Sequence, residues 1–147
     1  MSEIKQDAVL SQRLLDAQVG VLGSMLIDPD TVPGVLARVR DEDFSNKDYR
    51  LVFQAIQARF RAGQAIDAIL VRETLGGGVD SPWTALLRDL MDVTATAAHV
   101  DDYVDALRSS VTLARLRALG AQLAEADRLG GAPGPPGQTR GPPGEGY

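Results

Sequence analysis

The sequence predicts an all-α protein, a compact bundle of about six helices that ends in a long helix and is followed by a disordered Gly/Pro-rich tail. Apolar residues recur at three- and four-residue spacing in successive segments, and no segment alternates apolar and polar residues as a strand does. From residue 130 onward glycine and proline dominate. With 147 residues, 44% of them hydrophobic, the chain can bury one core, so we expect a helical domain at 11–129, an N-terminal arm at 1–10 and a linker or tail at 130–147.

The first helix is predicted from about Ser11, which has the side chain of an N-cap, to Ile27. Its apolar stripe advances in steps of four, three and four residues through Leu15, Val19, Leu22 and Leu26. Two glycines, Gly20 and Gly23, interrupt this run, although each costs roughly 1 kcal/mol relative to alanine in a helix interior.

The two glycines belong to a small-residue patch on this helix, formed by Ala17, Gly20, Gly23 and Ser24. Small residues at this spacing remove side-chain bulk from one face, so another helix can approach closely. We therefore expect the third or fifth helix to pack on the patch and to offset the cost of the glycines. The alternative is that the patch only reflects a composition rich in alanine and glycine.

The next two helices have clear ends. A short second helix, with Pro33 in its first turn, contains Val32, Val35, Leu36 and Val39. The third helix follows an N-cap at Ser45 or Asn46 and ends at Gly63. Its predicted buried face consists of Tyr49, Val52, Phe53, Ile56 and Phe60.

Three more helices are predicted beyond residue 63. Asp67 caps a short fourth helix, and the fifth begins with Ser81 as N-cap and Pro82 in the first helical position. The buried face of the fifth contains Trp83, Leu86, Leu87, Leu90 and Met91. The long last helix runs from about His99 to Leu129, and its stripe contains Val100, Val104, Leu107, Val111, Ala114 and Ala118.

No residue pattern indicates catalysis, a cofactor or a metal. The glycines of LGGGVD, residues 75–80, lack the following Lys and Ser/Thr of a phosphate loop. The acidic groups in DEDF and at Asp101, Asp102 and Asp105 could be drawn as metal ligands, but metal sites usually need carboxylates from several segments. The second group also lies in the first two turns of a predicted helix, where the backbone dipole favours negative charge. His99 is the only histidine and there is no cysteine, so we expect no zinc site.

Charge and hydropathy restrict the partners. The net charge of -5 predicts no strong direct binding to nucleic acid. The first residues are too polar for a signal peptide and the apolar stretches too short for a bilayer, so we expect a cytoplasmic protein without membrane contact. Arginines at 108, 115 and 117 make the last helix locally basic, which suits either an acidic partner helix or a solvated face. The candidate partner-binding residues are Leu107, Arg108, Val111, Arg115 and Leu119.

Four blocks carry a family resemblance: AQVGVLGSMLIDPD, DEDFSNKDYRLVFQAI, FRAGQAIDAILVRETL and TATAAHVDDYVDALRSSVTLARLRAL. Their order and spacing from about Ala17 to Leu119 resemble the N-terminal domain of the DnaB-type replicative DNA helicases. The resemblance implies an all-α domain that forms the collar of a ring-shaped hexamer and a docking platform for primase and helicase loaders. In that family catalysis belongs to a separate RecA-like motor.

The sequence departs from the family in two places. It contains no motor and no phosphate loop, and RLGGAPGPPG stands where the family continues into a second hairpin helix that pairs with a neighbouring subunit. We therefore expect an interaction domain that is not an enzyme by itself, acts in DNA replication through primase, a helicase loader or helicase subunits, and can form a homo-oligomer. The alternatives are a fragment or subunit of an ATP-dependent helicase whose motor lies elsewhere, and a helical regulator unrelated to replication.

Overall fold

The computed structural model describes residues 2–129, with side chains from residue 5 onward. Its helices are α1 (Ser2–Ile27), α2 (Val32–Leu36), α3 (Lys47–Arg61), α4 (Ala68–Thr74), α5 (Pro82–Thr94) and α6 (Val100–Arg128), with 3-10 turns at Pro29–Thr31 and Asp41–Asp43. This described part contains no strand, which confirms the predicted all-α class and the long last helix. The predicted Gly/Pro-rich tail lies outside the described residues.

The first helix is longer than predicted. It begins at Ser2, so the assignment of Ser11 as its N-cap is wrong, and Ser11 lies exposed inside α1. Residues 2–10, SEIKQDAVL, contain neither glycine nor proline and are mostly favourable in helices. The apolar stripe used to place the start begins only at Leu15, which is why the polar first turns were missed.

A single hydrophobic core joins all six helices. Its buried members are Ala17, Val21, Leu22, Met25, Leu26, Val32, Val35, Val39, Phe44, Val52, Phe53, Ala55, Ile56, Val71, Leu87, Leu90, Val104 and Leu107. The rings of Phe44 and Phe53 pack in it with their centroids 4.7 Å apart. Phe60, predicted to share this core, is 41% exposed because it lies one turn beyond Ile56, the last fully buried residue of α3.

The helix ends follow their capping residues with one exception. Asn46 accepts a hydrogen bond from the Tyr49 N–H at 3.0 Å, and Asp67 accepts one from the Leu70 N–H at 2.8 Å. Gly63 has the positive φ, 70°, expected after a helix. Ser81 occupies the predicted N-cap position of α5, but its hydroxyl makes no capping hydrogen bond and is buried without a partner.

A tight turn connects α5 to the segment before α6. The Thr96 N–H donates to the Thr94 carbonyl oxygen at 2.7 Å, which closes a γ-turn around Ala95. Ala95 has φ 66° and ψ -38° there. Among the described residues it is the only one other than glycine with positive φ, and it therefore carries backbone strain.

The described residues divide into two compact units along α6, the first ending at Thr112 and the second beginning at Leu113. The first unit contains the core. The second exposes five leucines, Leu113, Leu116, Leu119, Leu123 and Leu129. No individual helix in residues 2–129 has the length and hydropathy to cross a bilayer; Lys5–Ile27 and Pro29–Leu36 meet those criteria only jointly, across a 116° bend.

Candidate protein-interaction surfaces

The small-residue patch of α1 lies against α5 and the start of α6. A Cβ added to Gly23 would lie 2.5 Å from the Leu90 carbonyl oxygen, and one added to Gly20 would lie under 3.0 Å from the ring of Tyr103. Real Cβ atoms essentially never come this close. Ala17 and Ser24 are buried at 3% and 0% exposure. The four positions therefore face the interior of the first unit, where α5 is the helix that approaches.

A buried amide links α1 to the loop before α3. Gln18 is fully buried, its Nε2 donates to Ser45 Oγ at 2.9 Å, and its Oε1 accepts from the Asn46 N–H at 3.3 Å. Sequence reasoning missed this residue because a glutamine in an amphipathic helix is ordinarily counted with the polar face. The available signal was its spacing, three residues after Leu15 and four before Leu22, which places it on the predicted apolar stripe.

A groove of about 310 Å³ opens beside the patch. Its walls carry the carboxylates of Asp16 and Asp89 and the apolar side chains of Leu86 and Val93, and Tyr103 also lines it. Val93 is 74% exposed. Asp16 accepts a hydrogen bond from Gln12 Nε2 at 2.8 Å. This arrangement provides an apolar surface edged by negative charge.

The candidate partner residues on α6 have different environments. Leu107 is fully buried, so its inclusion as a contact residue is corrected: the beginning of α6 belongs to the first unit and packs into its core through Leu107. Val111 packs partly against the core, and Arg108 is exposed. In the second unit Arg115 and Leu119 are exposed, Leu119 at 51%.

Two leucines that sequence reasoning did not select flank Leu119 on the same face. Leu116 is 60% exposed and Leu123 is 61% exposed. Steps of three and four residues place Leu116, Leu119 and Leu123 on one stripe of the helix. The three- and four-residue spacing of these leucines is visible in the sequence. The predicted apolar stripe of the last helix, however, continued from the core-facing residues through Ala114 and Ala118. We call these three residues the leucine stripe.

The acidic clusters participate in local structure. Asp101 forms an ion pair with Arg38 at 2.8 Å, and Asp43 accepts the Arg40 N–H at 2.9 Å. The hydrogen bond from Gln54 Nε2 to Asp41, 2.9 Å long, lowers the pKa of that carboxyl group. No group of three or more metal-ligating side chains converges among the described residues.

An all-α domain in which the described residues show no catalytic or metal-binding cluster, and which carries apolar side chains on its surface, is typical of a protein-interaction module. The chain belongs to the DnaB-like helicase N-terminal domain family, whose model matches residues 11–109. It is 29% identical over 119 residues to the replicative DNA helicase DnaB of Mycobacterium leprae and 27% identical over 113 residues to that of Haemophilus influenzae. These matches cover 76% and 75% of this chain, but only 19% and 24% of the relatives.

A solved structure has the same fold. The crystal structure of the N-terminal domain of DnaB helicase from Mycobacterium tuberculosis superposes with a TM-score of 0.69 at 28% identity, and the match covers 84% of this chain and 85% of that one. The chain thus spans about a fifth to a quarter of the length of the curated relatives. Its likeness to the solved N-terminal domain extends over most of both chains.

Proposed function

We propose that this chain is a docking domain that acts in DNA replication through protein contacts and is not an enzyme by itself. The observation that carries the proposal is the leucine stripe of α6, where Leu116, Leu119 and Leu123 are each more than half exposed. Burying one leucine side chain contributes about 1.5–3 kcal/mol. Membership in the helicase N-terminal domain family supports replication as the setting and the cytoplasm as the location.

The partners we propose are neighbouring helicase subunits, including further copies of this chain, together with primase or a helicase loader. The exposed arginines at 108 and 115 favour a partner surface that carries carboxylates beside apolar side chains. Direct contact with duplex DNA contributes little, because the net charge is -5.

A triple variant tests this function. Leu116→Ser, Leu119→Ser and Leu123→Ser together should weaken self-association in sedimentation equilibrium, and binding to purified helicase and primase from the same genome, at least about tenfold. Val79→Ser is the matched control because Val79 is 71% exposed and lies outside the stripe. Equal behaviour of the two variants, or no association of the unaltered chain in any of these assays, would rule the proposal out.

A second candidate is a fragment or subunit of an ATP-dependent helicase, and the short coverage of the relatives favours it. In that case the RecA-like motor is either part of the same polypeptide or supplied by a separate chain. Sequencing the gene downstream of the codon for Tyr147 decides between the two, since a GxxxxGK[ST] motif in the same reading frame establishes a motor. A stop codon with no such motif before it supports the first candidate, a docking domain without a motor.

A further inference from the structure

A second groove, between α4 and α5 in the first unit, has an apolar floor and cationic edges. It has a volume of about 330 Å³. Its apolar lining is formed by Ala68, Ile69, Leu87 and Met91. Arg72 and Arg88 line it as well, with Asp92 as the single carboxylate. We call it the arginine groove.

Part of the apolar floor is covered by nothing in the described chain. Ile69 is 57% exposed and Met91 is partly buried, while Leu87 beneath them is 2% exposed and belongs to the core. A floor attached to the core is held in position by the packing of α4 on α5, so an occupant needs no rearrangement of these helices. An apolar side chain placed here removes Ile69 and Met91 from water.

The two guanidinium groups have unused donors. Arg72 Nη1 donates to Thr84 Oγ1 at 3.3 Å, but its Nε is buried without a partner. Arg88 is exposed and has no hydrogen bond or ion pair to any residue that the structure describes. Two cations against one carboxylate give the groove a positive charge in a chain whose net charge is -5.

We propose that the arginine groove binds an extended, acidic and apolar segment of a partner protein. A leucine- or phenylalanine-sized side chain occupies the floor, and a neighbouring carboxylate accepts hydrogen bonds from the guanidinium of Arg88, with Arg72 adding positive charge behind it. The groove is separate from the leucine stripe, so this inference does not depend on the proposed function. A basic segment is disfavoured here by like charge, and a purely apolar one leaves the guanidinium donors unused.

The test uses the full chain and fluorescein-labelled peptides in an anisotropy titration. The probe is GDDLFDDLFG, and two matched peptides replace either every aspartate by asparagine or every leucine and phenylalanine by serine. We expect saturable binding of the probe and at least about tenfold weaker binding of both matched peptides, because each lacks one of the two required features. Binding should also weaken as salt increases from low to physiological concentration.

Variants locate the binding to the groove. Arg88→Glu and Ile69→Ser should each weaken probe binding about tenfold, whereas Arg13→Glu, the same charge change at an exposed position on α1 outside the groove, should leave it within about twofold. Thermal melts identify any variant that unfolds, and Arg88→Gln, which removes the charge without reversing it, then replaces Arg88→Glu. The inference is overturned if the probe does not bind, if the asparagine peptide binds equally well, or if Arg13→Glu weakens binding as much as Arg88→Glu.

Discussion

Thr94 Oγ1 donates a hydrogen bond to the carbonyl oxygen of Val19 at 3.2 Å, so a side chain at the end of α5 reaches the backbone of α1. This contact requires an unusually short separation between the two helices. Gly23 makes the separation available, because a Cβ there would collide with both Thr94 and the Leu90 carbonyl oxygen. The conformational cost of the glycine is thus offset by the packing of α1 on α5.

Replacing Gly23 by leucine should lower the melting temperature. Overpacking typically costs about 1–3 kcal/mol, and here backbone atoms of α5 must move, which outweighs the roughly 1 kcal/mol gained in helix propensity. Gly120→Ala is the matched control, since Gly120 lies in α6 with nothing within 4 Å of an added Cβ. It should increase the helical signal in circular dichroism. A raised midpoint for Gly23→Leu would mean that the patch is not a packing surface.

Replacing Ala95 by glycine should stabilise the protein. The γ-turn holds Ala95 at φ 66°, where a side chain is strained by about 1–3 kcal/mol, and glycine relieves that strain. Its greater freedom in the unfolded chain costs about 0.4–1 kcal/mol, so the net gain is about 1 kcal/mol. Urea unfolding measures the difference. Ala97→Gly, in the same connection but without positive φ, should be neutral or destabilising, and an equal gain there would argue against strain at Ala95.

The carboxyl group of Asp41 should make stability depend on pH in the acid range. Because the hydrogen bond from Gln54 lowers its pKa below the ordinary value of 3.8, the folded state holds its proton less tightly than the unfolded state. The resulting stability is complete above pH 3.8 and is lost as the pH falls through the folded pKa. Asp41→Asn should therefore lower the melting temperature slightly at pH 7, and the difference from the unaltered chain should vanish in strong acid.

A double-mutant cycle identifies the cause of this pH dependence. With Gln54→Leu in the background the donor is absent, so Asp41→Asn should lose most of its effect at every pH. An undiminished effect in that background would assign the pH dependence to another partner of Asp41.

The purified chain should show no ATP turnover. Its sequence has no GxxxxGK[ST] segment, and the glycines after α4 are followed by no lysine that can neutralise a triphosphate. A steady-state phosphate-release assay with Mg-ATP, with and without single-stranded DNA, tests this. Activity that co-purifies with the chain through two further columns would contradict the prediction.

The sequence predicted the structure correctly where one face of a helix packs on the core. The stripes of α3 and α5 and the caps at Asn46 and Asp67 could be predicted because periodicity and capping are local properties. The start of α1 could not be predicted, because its first turns have no buried face and therefore no periodic apolar pattern. The exposure of Leu116 and the burial of Leu107 on the same helix could not either, because they depend on where the first unit ends along α6.

The arginine groove could not be predicted from the sequence, for a different reason. Arg72 and Arg88 lie on separate helices, and each looks like an ordinary solvated charge in its own segment. Only the packing of α4 on α5 places both beside Ile69 and Met91.

The buried amide of Gln18 has a consequence for hydrogen exchange. The Asn46 N–H lies outside the helices, where backbone amides commonly exchange with solvent within seconds, yet it donates to a side chain that is fully enclosed. Its deuterium uptake should require α1 to separate from the loop before α3, so it should be much slower than that of an unbonded loop amide. A single loop proton should thereby report on the separation of α1 from that loop.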